Sequence, residues 1–250
     1  MAALEARDLV CVRGERVVFA GLGFRLQSGE ALTLVGANGS GKSSLLRLLA
    51  GLLRAADGEL LWNDNAVAAD IDGYRRRLRY VGHLDPVKPV LSVRENLEFW
   101  ARLQGAGTGL VEDALARFGL DGLADVPGRL LSAGQRRRLN LARLIAGMPA
   151  PAPLWLLDEP TSGLDAASVA TLEALLAFHR EAGGLVVVAT HTAIDLPGSA
   201  ALDLGAFGYD GLDDDPDEAG EAEPPPASAS PAQPEGEAGP EAEPGAGGAG

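Results

Sequence analysis

The chain has a single cysteine, Cys11, among 250 residues. That excludes an intrachain disulfide and makes a reducing compartment, the cytoplasm, its natural setting. Within an alternating apolar run, Cys11 reads as a small buried strand residue rather than a reactive thiol. No stretch of about 18 apolar residues occurs, so no membrane-spanning helix is expected. The opening MAALEARDLVCVRGE has an acidic residue and an arginine where a signal peptide keeps its apolar core, so it is not expected to serve as one. Aromatics make up 5% of the chain, and no basic stripe alternates with them. The footprint of a nucleic-acid-binding surface is therefore missing, and no nucleic-acid partner is expected.

Lysine and arginine are absent from Asp210 onward, where twelve of the 35 acidic residues lie. The tail thus carries −12 of the net charge of −14, and the rest of the chain sets 23 acids against 21 bases. The segment DDDPDEAGEAEPPPASASPAQPEGEAGPEAEPGAGGAG also lacks aromatic and branched aliphatic side chains. With no apolar surface to bury, residues 209–250 are expected to stay disordered, as a solvating appendage rather than a docking motif. Residues 1–208, in a chain that is 46% hydrophobic, suit one α/β domain with a sizeable core.

What the chain does contain is concentrated first in TLVGANGSGKSSLLRLLAGLL, residues 33–53. ALTLV (31–35) reads as a short buried strand. Lys42 to Leu53 carries leucines at 45, 46, 48, 49, 52 and 53, the apolar face of a helix. Glycines between them could be no more than turn formers. Gly36, Ala37, Asn38, Gly39, Ser40, Gly41, Lys42 and Ser43 nevertheless satisfy G-x-x-x-x-G-K-[ST], a loop whose N–H groups wrap phosphate at a helix N-terminus. Strand, glycine loop and helix are the context that this reading requires.

Before the loop, LEARDLVCV and VVFAGLGFRL read as antiparallel strands joined by RGER, and GELLWN as another strand. SVRENLEFWARL opens with Ser92 and Glu95 at capping-box spacing, and GLVEDALARFGL continues in helical period. A helical segment over about 90–150 is expected. PLWLLDEP then reads as a buried strand, followed by a helix over about 166–182 and a second apolar strand in GGLVVVAT.

LWLLDE delivers Asp158 and Glu159 to a strand end, where alternation sends the two carboxylates apart. One is suited to Mg²⁺ and the other to a nucleophilic water, the division of labour that phosphoryl transfer needs. LLSAGQRRRLNLARL sets Ser132, Ala133, Gly134 and Gln135 at a helix start, TSGLD ends on Asp165, and His191 follows the second buried strand. A histidine at such a place is by itself most often a loop or core residue.

Taken together and in this order, these motifs resemble the ATP-binding cassette family. The resemblance implies a P-loop, RecA-like core with an antiparallel β subdomain and a helical signature subdomain. It implies ATP and Mg²⁺ as cofactors: Gly36 to Ser43 as the phosphate loop, Ser43 and Asp158 on the metal, Glu159 as catalytic base and His191 as the switch histidine. Ser132, Gly134 and Gln135 become the signature, with Ala133 where the family most often has glycine, and Asp165 ends the dimer-contact loop. It implies two copies closing head to tail on ATP, and an integral-membrane permease as partner at the cytoplasmic side of the inner membrane. Within the family, FAGLGFRLQSGEALTLVG, YVGHLDPVKPVLSVRENLEFW and RLLSAGQRRRLNLARL are similar to the ATP-binding subunits of cytochrome c maturation haem exporters. That likeness implies haem transport and an indirect link to haem-chaperone machinery, although no C-x-x-C-H or histidine pair is present.

Other transport ATPases share many of these phrases, and a cassette for another small molecule is the alternative. A soluble cassette ATPase of DNA repair or translation is a rival, but it usually has a coiled-coil insertion or two cassettes in one chain. Two positions depart from the family. Leu84 stands where a glutamine usually links metal and water to the membrane partner, leaving Asp85 or water to supply an oxygen. Arg13 stands where an aromatic commonly covers adenine, a task a guanidinium plane can also perform.

Overall fold

The computed structural model describes residues 2–147 and 153–208. The expected tail, 209–250, lies outside the described residues, as do 148–150 at the end of the expected helical segment. The strands are β1 (Ala3–Arg13), β2 (Arg16–Gln27), β3 (Ala31–Val35), β4 (Asp57–Trp62), β5 (Asn65–Ala66), β6 (Leu78–Val81), β7 (Leu154–Asp158), β8 (Leu185–Ala189) and β9 (Ala200–Asp203). The helices are α1 (Lys42–Leu49), α2 (Ile71–Arg75), α3 (Val93–Leu103), α4 (Val111–Arg117), α5 (Ala133–Ala146) and α6 (Ala166–Glu181).

Two sheets divide the strands. One is antiparallel in the order β2-β1-β4-β5, and the other is parallel in the order β6-β7-β8-β3-β9. Period-two alternation in the parallel sheet feeds two separate cores. Trp155, Leu157, Val186 and Val188 face the one that contains α3, α4 and α5. Leu154, Leu156, Leu185 and Val187 face the other, shared with α1 and the antiparallel sheet. Apolar residues at every position of LWLL and LVVV are what a sheet covered on both sides demands.

The helix expected over Lys42–Leu53 ends earlier, at Leu49. Gly51 takes φ 68°, and the chain closes with Leu52 N–H donating to Arg47 O (2.8 Å) and Gly51 N–H to Leu48 O (2.9 Å). This is a Schellman stop that an L-residue would strain, and it leaves Leu52 exposed. Three short strands, β5, β6 and β9, carry too few residues for a periodic signal. β6, LRYV, is further masked by the arginines before it and by Arg79 within it, and pairing with β7 is what makes it a strand.

Candidate functional site

Parallel register brings three strand ends together. Leu34 of β3 pairs with Ala189 of β8, and Ala189 with Asp158 of β7. The residues that follow them, the Gly36–Ser43 loop, Glu159 and His191, therefore meet at one edge of the sheet, the carboxyl end where open α/β folds place their ligands.

The loop is shaped by glycine. Gly36, Gly39 and Gly41 have φ of 135°, 85° and 99°, and a Cβ on Gly41 would stand 2.6 Å from Val18 Cγ1. Gly41 is thus required both for its backbone angle and for the close approach of β2. Lys42, buried, donates from Nζ to Gly36 O (2.7 Å) and Ala37 O (2.9 Å), curling over the loop that it terminates.

Ser43 Oγ donates to Asp158 Oδ1 at 3.1 Å. Asp158 is 1% exposed, its Oδ2 is buried without a hydrogen-bond partner, and Ser40 Oγ and Thr161 Oγ1 are likewise unpartnered. A buried carboxylate oxygen beside a hydroxyl fits a divalent cation that takes few protein ligands and completes its shell with phosphate and water. Tyr80 reports the local charge: its phenol is pushed up by burial and then by the Asp158 carboxylate, against a hydrogen bond with Arg47.

Glu159 leaves the strand in the left-handed region, φ 48°, with its N–H on Ala189 O at 2.8 Å. That turn, more than strand alternation, separates its carboxylate from Asp158. Glu159 Oε2 accepts from the His191 N–H at 3.3 Å and lies 2.8 Å from His191 Nδ1. His191, with its side chain 64% exposed, is presented by a tight turn in which Thr192 N–H donates to Thr190 Oγ1 and Thr190 Oγ1 to Thr192 O. A carboxylate oriented by an imidazole can polarise a water molecule.

Among the described residues no hydrogen bond joins the remaining expected site residues to this group. Ser132 and Gln135 cap α5 reciprocally: Ser132 Oγ accepts from Gln135 N–H (3.2 Å), and Gln135 Oε1 from Ser132 N–H (2.8 Å). A Cβ on Gly134 would come within 3.1 Å of Gly163 O, so the signature packs on the 161–165 loop of its own chain. Asp165 caps α6 through Ser168 N–H at 2.8 Å, and bonds from Ser168 hold its carboxyl below the usual range. Asp85 accepts on Oδ1 from Arg137 (3.1 Å) and Asn140 (2.8 Å) of α5, while Leu84 is 82% exposed.

Arg137 went unnoticed in the sequence, inside the run RRR. The legible signal was its spacing from Leu141 and Leu144, which puts it on the buried stripe of α5.

The profile of the ABC transporter family matches residues 19–162. The chain belongs to the ABC transporter family. Relatives of this cassette include the cytochrome c biogenesis ATP-binding export protein CcmA of Rhodospirillum rubrum, 62% identical, covering 84% of this chain and 88% of that protein. The protein of the same name in Paramagnetospirillum magneticum is 58% identical, covering 82% and 95%. Among solved structures, a putative ABC transporter ATP-binding protein from Pyrococcus furiosus matches with TM-score 0.70 at 22% identity, over 83% of this chain and all of that one. A dimeric post-hydrolysis ATP-binding cassette bound to ADP and Pi matches with TM-score 0.66 at 25% identity, over 76% and 88%.

Proposed function

We propose that this cassette is the ATP-hydrolysing subunit of an export complex that serves haem handling in c-type cytochrome biogenesis. It acts as a homodimer on a membrane permease at the cytoplasmic face of the inner membrane. The observation that carries the hydrolytic part is the strand-end constellation: Ser43 on Asp158, His191 on Glu159, and the glycine loop between them. The names of the relatives support the export role.

In this reading the loop N–H groups and Lys42 bind the phosphates of ATP, with the lysine charge offsetting theirs in a partly dehydrated pocket. Ser43 and Asp158 hold Mg²⁺, which when bound neutralises charge on the phosphate oxygens. Glu159 orients and polarises the attacking water, and His191 keeps the Glu159 carboxylate aimed while its exposed ring faces the γ-phosphate. Ser132, Gly134, Gln135 and Asp165, on a separate surface of the same chain, complete the phosphate loop of a second copy. Leu84 and Val90, 82% and 77% exposed, supply apolar contact for the permease on the 84–91 segment.

Glu159→Gln tests the assignment. The variant is expected to keep ATP affinity within about twofold, to lose turnover by at least about a hundredfold, and to accumulate as a dimer with ATP and Mg²⁺ in size-exclusion chromatography with light scattering. A monomer that hydrolyses at the parent rate would remove Glu159 from catalysis.

A further inference from the structure

Arg137 lies on α5, 5% exposed, and one planar guanidinium joins three parts of the fold. Its Nη2 donates to Asp158 O and to Glu159 O, each at 2.7 Å. Its Nη1 donates to Gly82 O at 2.9 Å and to Asp85 Oδ1 at 3.1 Å. Asn140, one turn further along α5, donates to the same Asp85 oxygen at 2.8 Å.

The geometry at the acidic pair explains why a charged donor sits there. Glu159 is in the left-handed region that L-residues disfavour. Its turn points two successive carbonyls at one spot, and a buried cation satisfies both. Glutamine could reach one of these groups, and lysine, a point charge, lacks the fork that spans acceptors on two sides. Leu84, turned to solvent, ties nothing, so the bond from the 82–85 segment to the acidic strand end runs through Arg137.

We propose that Arg137 is a positioning residue for ATP hydrolysis, holding the Glu159 backbone so that its carboxylate meets the attacking water, and tying that alignment to the 82–85 segment. The proposal rests on the ATPase reading above. Asp85 then acts through Arg137, and its carboxylate is not a metal ligand.

The test uses the full chain with ATP and Mg²⁺. Nucleotide titration of the parent comes first: a parent that binds no ATP overturns the ATPase reading itself, and this proposal with it. With binding established, Arg137→Gln is expected to lower kcat about tenfold or more while nucleotide affinity and KM stay within about twofold, because misalignment at the reacting atoms costs rate before it costs binding. Arg137→Lys should lose about three- to tenfold in kcat, and Asp85→Asn about threefold, each at unchanged affinity. Rates are expressed per nucleotide-binding chain, which removes any loss due to unfolded protein. Parent-like kcat in Arg137→Lys, or a loss that disappears on that normalisation, overturns the proposal. Should Arg137→Gln fail to fold, the lysine and Asp85→Asn variants decide it by the same readout.

Discussion

Lys42 brings a positive charge to the glycine loop, and its two short bonds to Gly36 O and Ala37 O show that the side chain lies along the loop rather than out in solvent. An ammonium group held there would meet the phosphates of a bound nucleotide with little rearrangement and in a setting of low dielectric constant. Lys42→Ala is expected to weaken ATP binding by about tenfold or more, since charge-assisted bonds contribute about 1.5–3 kcal/mol each. Fluorescence or calorimetric titration of the purified variant measures this. An affinity equal to the parent's would show that the loop does not receive phosphate. The unpartnered Asp158 Oδ2 and Ser40 Oγ point the same way, because buried polar atoms without partners concentrate where a ligand supplies them.

At the scale of the element, α5 carries three tasks, one at its N-terminus and two along its buried stripe. Its N-terminus bears the signature and is closed by the Ser132–Gln135 capping box, its buried stripe joins the helical core through Leu141 and Leu144, and Arg137 with Asn140 faces the site. The capping box sets where the helix starts, and with it where the buried stripe points. Ser132→Ala removes the side-chain acceptor for Gln135 N–H, and is expected to cost about 1 kcal/mol, a fall of about 2–4 °C in Tm for a domain of this size. Thermal unfolding without nucleotide reads this independently of any effect on hydrolysis, and Ser132→Asp, which restores a cap, should recover most of it. A Ser132→Ala variant as stable as the parent would show that packing alone holds the start of α5.

For the molecule as a whole, the parallel sheet separates two cores, and a titratable group lies where α6 meets that sheet. His179 of α6 stacks on Trp155 of β7, with ring centroids 3.8 Å apart and planes 6° from parallel. Burial pushes its pKa down to about 4 from the ordinary 6.5, against the nearby backbone at Leu185 and Pro153, which favours the charged form. Between pH 6.5 and about 4 the unfolded chain therefore binds a proton that the folded chain refuses. This contribution to stability is complete above pH 6.5, declines as pH falls through that window, and changes no further below about 4. Thermal melts are expected to show a lower Tm at pH 5 than at pH 7, and His179→Phe, which keeps a ring on Trp155 without titrating, should shrink the difference. An unchanged pH dependence in that variant would assign the acid sensitivity to other groups.

The sequence by itself determined the elements that carry strong local signals. Gly36 to Ser43 between an apolar strand and a leucine-rich helix, the capping boxes at Ser92 and Ser132, and the continuous apolar runs before Asp158 and Thr190 state their own conformation, because period, cap and turn chemistry act over a few neighbours. They also made the family legible. Only the tertiary structure decided the rest. Which strand ends meet depends on parallel register between segments far apart in the chain, and that register brings His191 onto Glu159 and Ser43 onto Asp158. The four acceptors of Arg137 come from the 82–85 segment and from the end of β7, which no local pattern relates. A buried charge finds its partners through the packing of several elements, so its role becomes visible when those elements are in place.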